Sequence, residues 1–184
     1  MAKAQAPKPV KLFCGMLSGD AALLAGAAER LAQEHSAIDT TSEVFAFDYT
    51  DYYEPEMGPG LLRQFVSFAP LIDPGEIAAV KLRTNELEQE IAQEAGAPLA
   101  RPINLDPGYL TLSKVVLATA KDYAHRLYLG QGIYAEVTLH YQDGRFNEWP
   151  WTYPDYKTPG YHAYFTVLRE RYLAQIKEAN PTEA

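Results

Sequence analysis

An α/β (α+β) fold is what this sequence predicts: a single mixed sheet with a ferredoxin-like β-α-β-β-α-β start, an added β-meander and a C-terminal helix. Three observations predict it. A short apolar run, Lys11 to Ser18, leads at once into a capped helical pattern. Period-two and period-3.6 patterns then alternate along the chain. Two glycine turns, Gly130-Gln131-Gly132 and Asp143-Gly144, separate β-type runs.

The elements follow in order. Residues 1–9 read as a flexible tail, 10–178 as one globular domain and 179–184 as a second tail. After the first strand, Ser18 or Asp20 caps a helix whose Leu24, Ala27, Ala28 and Leu31 keep helical spacing to about His35. Glu43 to Tyr49 reads as the second strand, the aromatic segment Thr50 to Gly60 as a loop, and Leu62 to Phe68 as the third strand. Asp73-Pro74-Gly75-Glu76 opens a helix with the stripe Ile77, Val80, Thr84, Leu87 and Ile91, ending near Gly96; a break near Thr84-Asn85 is the alternative. Ile103 to Leu105 reads as a strand stopped by an Asp106-Pro107-Gly108 turn. Leu112 to Lys121 fits either a helix or a β-run, because Val115-Val116 favours the latter and Thr111 caps the former. Arg126 to Leu129 and Ile133 to Tyr141 form a hairpin, and Arg145 to Trp149 adds a strand. A proline-rich aromatic connector, Pro150 to Pro159, leads to a last helix with the stripe Tyr161, Phe165, Leu168, Tyr172 and Ile176.

At 184 residues, the chain can bury a core without disulfides. Its formal charge of -8 opposes general nucleic-acid binding, which needs a basic surface to displace counterions. The single cysteine, Cys14, excludes an internal disulfide and any multi-cysteine zinc site; inside an apolar run it reads as a small hydrophobe. No apolar run is long enough for a membrane span, and the cytoplasm is the expected location.

Two segments concentrate polar groups that a core cannot use. The stretch from Asn104 to Tyr141 threads Asp106, Lys114, Lys121, Asp122, His125, Arg126 and Glu136 through apolar runs. Ionisable groups so placed are paired, solvated or chemically employed. Period-two alternation puts Tyr134, Glu136, Thr138 and His140 on one face of the hairpin strand, and a solvated sheet face is the plain alternative to a site. His125, in a loop, is the histidine best placed to titrate. Lys114, amid Ser113, Val115 and Val116, needs a counter-charge if buried. The second segment, Phe47 to Gly60, gathers Asp48, Asp51, Glu54 and Glu56 beside three tyrosines, a set that can offer oxygen ligands to a divalent metal or simply be an exposed acidic loop. The sequence names no other cofactor. It lacks the GxxxxGK[ST], HExxH and GxSxG patterns, and Gly130-Gln131-Gly132 precedes a strand rather than the helix that a dinucleotide fingerprint requires.

The segments FDYTDYYEPEMGPGLLRQFVSFAPLIDP, KLRTNELE, RPINLDPGYLTLSKVVLATAKDYAHRLYLGQGIYAEVTL and PWTYPDY resemble the characteristic stretches of the prokaryotic family catalogued as domain of unknown function 4416. The resemblance runs from about Val10 to Tyr172 and implies one small cytoplasmic domain, with no activity attached.

The leading expectation is an acid/base enzyme or ligand-binding domain for an anionic small molecule bearing phosphate or carboxylate. His125, Glu136 and Asp106 are its candidate catalytic groups. Asn104, Lys114, Arg126, Tyr134, Glu54 and Glu56 are its candidate ligand contacts. No membrane partner is expected. The alternative is a non-catalytic interaction domain that uses the tyrosine loop and aromatic connector as a partner surface.

Overall fold

Nine strands make one sheet in the order β2-β4-β1-β5-β6-β8-β7, with β3 pairing β4 and β9 pairing β8. The computed structural model describes residues 1, 3–96 and 99–179. Beyond Ala179, the expected C-terminal tail lies outside the described residues. The strands are β1 Val10–Ser18, β2 Ile38–Thr41, β3 Phe45–Ala46, β4 Leu62–Ile72, β5 Asn104–Leu110, β6 Lys114–Thr119, β7 Leu127–Gly130, β8 Ile133–Gln142 and β9 Arg145–Glu148. The helices are α1 Ala21–His35, α2 Glu54–Met57, α3 Ile77–Ala95 and α4 Pro159–Ala179.

The half-sheet β2-β4-β1-β5, with α1 and α3 as its crossovers, is the ferredoxin-like part. β1 and β2, joined through α1, run in the same direction with β4 inserted between them, so every neighbouring pair is antiparallel. The meander β6-β8-β7 extends the sheet. It includes the expected hairpin, in which Leu127 faces Ala135 and Tyr128 faces Tyr134.

β1 is buried along its whole length because both faces of the sheet are covered. On one side α1 and α3 pack on Leu12, Cys14, Met16, Val66, Phe68 and Leu105. On the other, α4 packs Tyr161, Tyr164, Phe165 and Leu168 against Phe13, Phe65, Val115, Leu117 and Leu139. A smaller cluster of Leu17, Phe47, Met57 and Leu61 seats the tyrosine loop beside the end of β1. The caps act as their chemistry requires: Asp20 accepts from the Ala22 amide at 2.8 Å and Asp73 from the Gly75 amide at 2.7 Å, while Gly96 ends α3 with φ +54°. α3 runs through Thr84 and Asn85 without a break.

Two local expectations are corrected, and one open alternative is decided. Glu43–Tyr49 contributes only the two-residue β3; the second strand is Ile38–Thr41, held by Asp39, which accepts from buried Lys11 and from Ser67. Within residues 112–121, open between helix and β-run, Lys114–Thr119 forms strand β6. Asp106-Pro107-Gly108 is no turn but the middle of β5, where Asp106 lies opposite Gly15, Pro107 opposite Cys14 and Gly108 opposite Phe13.

The physical reason for the last correction lies between β5 and β6. These strands pair only at Gly108, Tyr109 and Leu110, and beyond Gly108 they run on without hydrogen-bonding each other. α3 takes over the vacated partner role: the Leu105 amide donates to Glu88 at 2.7 Å, and Lys81 Nζ donates to the Leu105 carbonyl at 2.7 Å. Backbone groups two residues apart in a strand point the same way. Pro107 therefore has its missing N–H on this unpaired side, where it leaves no donor bare.

Candidate functional site

The parted ends of β5 and β6 open into a cavity of about 680 Å³ on the side of the sheet that carries α4. β4 supplies Arg63, β5 supplies Asn104 and Asp106, and β6 supplies Leu117 to Thr119. Lys81 and Asn85 reach it from α3, through the gap. Tyr49, Tyr52 and Tyr53 of the tyrosine loop and Tyr153 to Tyr156 of the connector complete its walls.

Asp106 is the acceptor at one end. Its Oδ2 accepts from Arg63 Nη1 at 2.9 Å and from the Asn104 amide at 2.6 Å, while Oδ1 lies 3.9 Å from Lys81 Nζ. Burial opposes its ionisation, but Arg63, Lys81 and Arg101 outweigh burial and hold the carboxyl below its ordinary range. About 27% of the Asp106 side chain is open to the cavity, so the group is offered to a ligand rather than sealed. Arg63 is 3% exposed and also faces Asp155 at 3.8 Å; burial pushes the Asp155 carboxyl up, against the pull of Arg63. Gly15 leaves room for the guanidinium: a Cβ there would stand 3.1 Å from Arg63 Nη1 and 2.9 Å from Phe65 Cε1. Arg101 is tied to Glu88 at 2.9 Å and donates to Asn104 Oδ1.

The other end is built on β8. Glu136, 2% exposed, accepts from Arg126 Nε at 2.8 Å and from the Thr138 hydroxyl at 3.2 Å, and its Oε2 lies 3.0 Å from His125 Nε2. Arg126 also donates to the Lys121 carbonyl at 2.9 Å and to the Tyr153 hydroxyl. Burial pushes the Tyr153 phenol up to about 12, so it serves as a neutral hydrogen-bonding group. His125 stacks on Trp151 with ring centroids 5.3 Å apart, behind Glu136 and outside the cavity wall.

The structure thus brings Asn104, Asp106, Arg126 and Glu136 to one cavity and sets His125 beside it. It does not bring Lys114, Tyr134, Glu54 or Glu56 there. Lys114 starts β6 opposite His140, at the far end of the strand, partly exposed rather than buried with a counter-charge. Tyr134 packs against Tyr128. Glu54 lines a smaller recess of about 320 Å³ beside Asp48 and Asp51, and Glu56 is exposed. The tyrosine loop meets the cavity through its rings, not its carboxylates. Among the described residues, no group of three or more His, Cys, Asp or Glu side chains is arranged to hold a metal ion.

The simple alternation on β8 also fails. Val115 faces Leu139 and Val116 faces Val137, so Thr138 is an extra residue in the ladder. This bulge puts Glu136 on the face of Leu117 and Leu139, toward the cavity, and puts His140 on the opposite face, with Lys114. Glu136 accepts from Arg126 at Oε2 and from Thr138 at Oε1, with His125 Nε2 beside Oε2. Glu136→Gln is expected to lower stability by about 1.5–3 kcal/mol, because the amide loses the charge that pairs with Arg126 and turns an N–H toward one of its donors. An unchanged urea midpoint would show that Glu136 is not the anchor of Arg126.

Arg63, Lys81, Asn85, Arg101 and Asp155 are absent from the expected site residues, and Lys121, one of the charges of the central stretch, has no expected role. The signal was there for two of them. Arg63 stands inside the apolar run Leu61–Phe68, and Lys81 lies on the buried stripe of α3, four residues after Ile77.

Fold and site together define a one-sheet α/β protein with a two-layer ferredoxin-like half, a third layer formed by α4, and a polar cavity where the sheet parts. The chain belongs to the family described as domain of unknown function (DUF4416), whose model matches residues 8–172. No curated protein and no solved structure matches it. No helix among the described residues is long and apolar enough to cross a membrane.

Proposed function

We propose that this cavity binds an anionic small molecule bearing phosphate or carboxylate, and that the domain is a small cytoplasmic ligand-binding or acid/base protein. One observation carries the reading: the cavity wall holds five cationic side chains (Arg63, Lys81, Arg101, Lys121 and Arg126) against three acidic ones (Asp106, Glu136 and Asp155), in a chain whose formal charge is -8. Positive potential gathered in a recess of an acidic protein favours an anion there. Within this reading, Asp106 is the proton-exchanging candidate, because it is the carboxylate that faces the ligand. Glu136 and His125 are positioning residues that hold Arg126.

The test is a thermal-shift and calorimetric panel of inorganic phosphate, phosphorylated metabolites, nucleotides and carboxylates. At least one anion is expected to raise the melting temperature by mass action. Lys121→Ala, an exposed position, should weaken that anion at least tenfold, and added salt should weaken it in the wild type. A panel without any hit, or a Lys121→Ala variant that binds normally, overturns the reading.

A second reading has its own support. Tyr123, Leu127, Tyr128 and Leu129, on β7 and just before it, are exposed, as are Tyr49 and Tyr52 of the tyrosine loop and Trp151 and Tyr153 of the connector. Exposed aromatic and apolar side chains of this kind suit a protein partner. Serine substitutions at Leu127 and Tyr128 that leave every interaction of the protein unchanged would remove it.

A further inference from the structure

The two ends of the cavity differ in kind, and the difference narrows the class of ligand. We infer that the cavity takes a polyhydroxylated anion, a sugar or polyol carrying one phosphate or carboxylate, with its charge toward Lys121 and Arg126 and its hydroxyls toward Asp106 and Asn85. This rests on the anion-binding reading above.

At the first end Lys121 and Arg126 face one carboxylate, Glu136, which is buried and paired with Arg126, so one positive charge is in excess there. Lys121 Nζ gives one hydrogen bond, to the Tyr52 hydroxyl at 2.6 Å, and keeps two N–H groups for an anion. At the second end, Arg63, Lys81 and Arg101 stand against Asp106 and Asp155 in the wall and Glu88 behind Arg101, so cations and carboxylates are matched once Glu88 is counted. Asp106 presents Oδ1, whose nearest cation is Lys81 at 3.9 Å. The Asn85 amide lines the cavity with no hydrogen-bond partner among the described residues. An exposed carboxylate oxygen repels a second anionic group and accepts from hydroxyls. An amide beside it both donates and accepts, as vicinal hydroxyls require.

The span agrees with this. Asp106 stands on β5 and the anchor of Arg126 on β8, two strands apart and across the gap where β5 and β6 part, so the ends are separated by at least roughly 10 Å. An elongated ligand such as a pentose or hexose phosphate suits such a separation. Tyr52, Tyr53 and Tyr153 in the cavity wall give its ring apolar surface to lie on.

Calorimetry on the full chain tests it with ribose 5-phosphate, glucose 6-phosphate, butyl phosphate, glucose, fructose 1,6-bisphosphate and glutamate. A sugar monophosphate is expected to bind at least tenfold tighter than butyl phosphate and than glucose. Asn85→Ala should bring the sugar phosphate down to the level of butyl phosphate without changing butyl phosphate itself, and Lys121→Ala should weaken both. Equal binding of butyl and sugar phosphates overturns the inference while leaving anion binding intact. So does a bisphosphate or glutamate that binds tightest, or an Asn85→Ala variant identical to wild type. Absence of binding by every anion in the set overturns both readings together.

Discussion

Arg63→Met is expected to lower stability by about 3–5 kcal/mol, the cost of removing one partner from a buried ion pair. Arg63 is 3% exposed, donates to Asp106 at 2.9 Å, faces Asp155 at 3.8 Å, and lies over the Phe47 ring at 5.4 Å. Methionine can fill the space, but it leaves two carboxylates with only Lys81 and Arg101 nearby. The pH dependence distinguishes this cause from lost packing. In the wild type, the depressed Asp106 carboxyl contributes stability above its unfolded pKa of about 3.9, and that contribution is lost as pH falls through the lower folded value. Without Arg63, burial raises both carboxyls, so the variant gains relative stability on acidification. Its deficit against wild type should shrink as pH is lowered from 7 toward 4 in urea unfolding. A deficit below about 1 kcal/mol, or one constant with pH, would show that Arg63 does not neutralise this pair.

Gly108→Ala is expected to cost about 3 kcal/mol or more. A Cβ at this position would stand 2.4 Å from the Val116 carbonyl oxygen, 2.6 Å from Phe13 Cζ and 3.0 Å from Leu117 Cδ2. The first neighbour is backbone and cannot rotate away. Relief requires β6 to move off β5 at the last position where they pair. Gly26 supplies the control: nothing lies within 4 Å of its Cβ position on α1, and Gly26→Ala should stabilise by about 0.5–1 kcal/mol. Chemical unfolding of both variants measures the contrast. A Gly108→Ala protein as stable as wild type would mean that β5 and β6 are not held as tightly as described.

Local signals in the sequence were strong where one chemical cause decides the structure. The Gly130–Gly132 hairpin, the Asp73-Pro74 helix start and the α4 stripe all have this character. They failed where a distant partner decides. Asp106-Pro107-Gly108 carries every feature of a turn, and only β1 on one side and α3 on the other make it a strand. The Thr138 bulge is set by the register against β6, which alternation within β8 cannot reveal. Ile38–Thr41 escaped because Asp39 and two threonines look like a loop until Lys11 is seen opposite. In the candidate site, charges inside apolar runs were the informative signal, and it located Asp106, Arg126 and Glu136. Arg63 and Lys81 stand in runs of the same kind and carry the same signal. Glu54 and Glu56 drew attention through local density of charge, a property that exposure alone produces.

The three paired positions between β5 and β6 make a narrow pivot. On one side of it stands a half-sheet stiffened by two crossover helices, on the other a meander anchored mainly through Leu117, Leu139 and α4. The spacing of the Asp106 and Arg126 ends depends on how far the strands part beyond that pivot. α3, through Lys81 and Glu88, occupies the Leu105 backbone groups that β6 would otherwise pair with. The opening of the recess on one side of the sheet is thus held, in part, by a helix on the other.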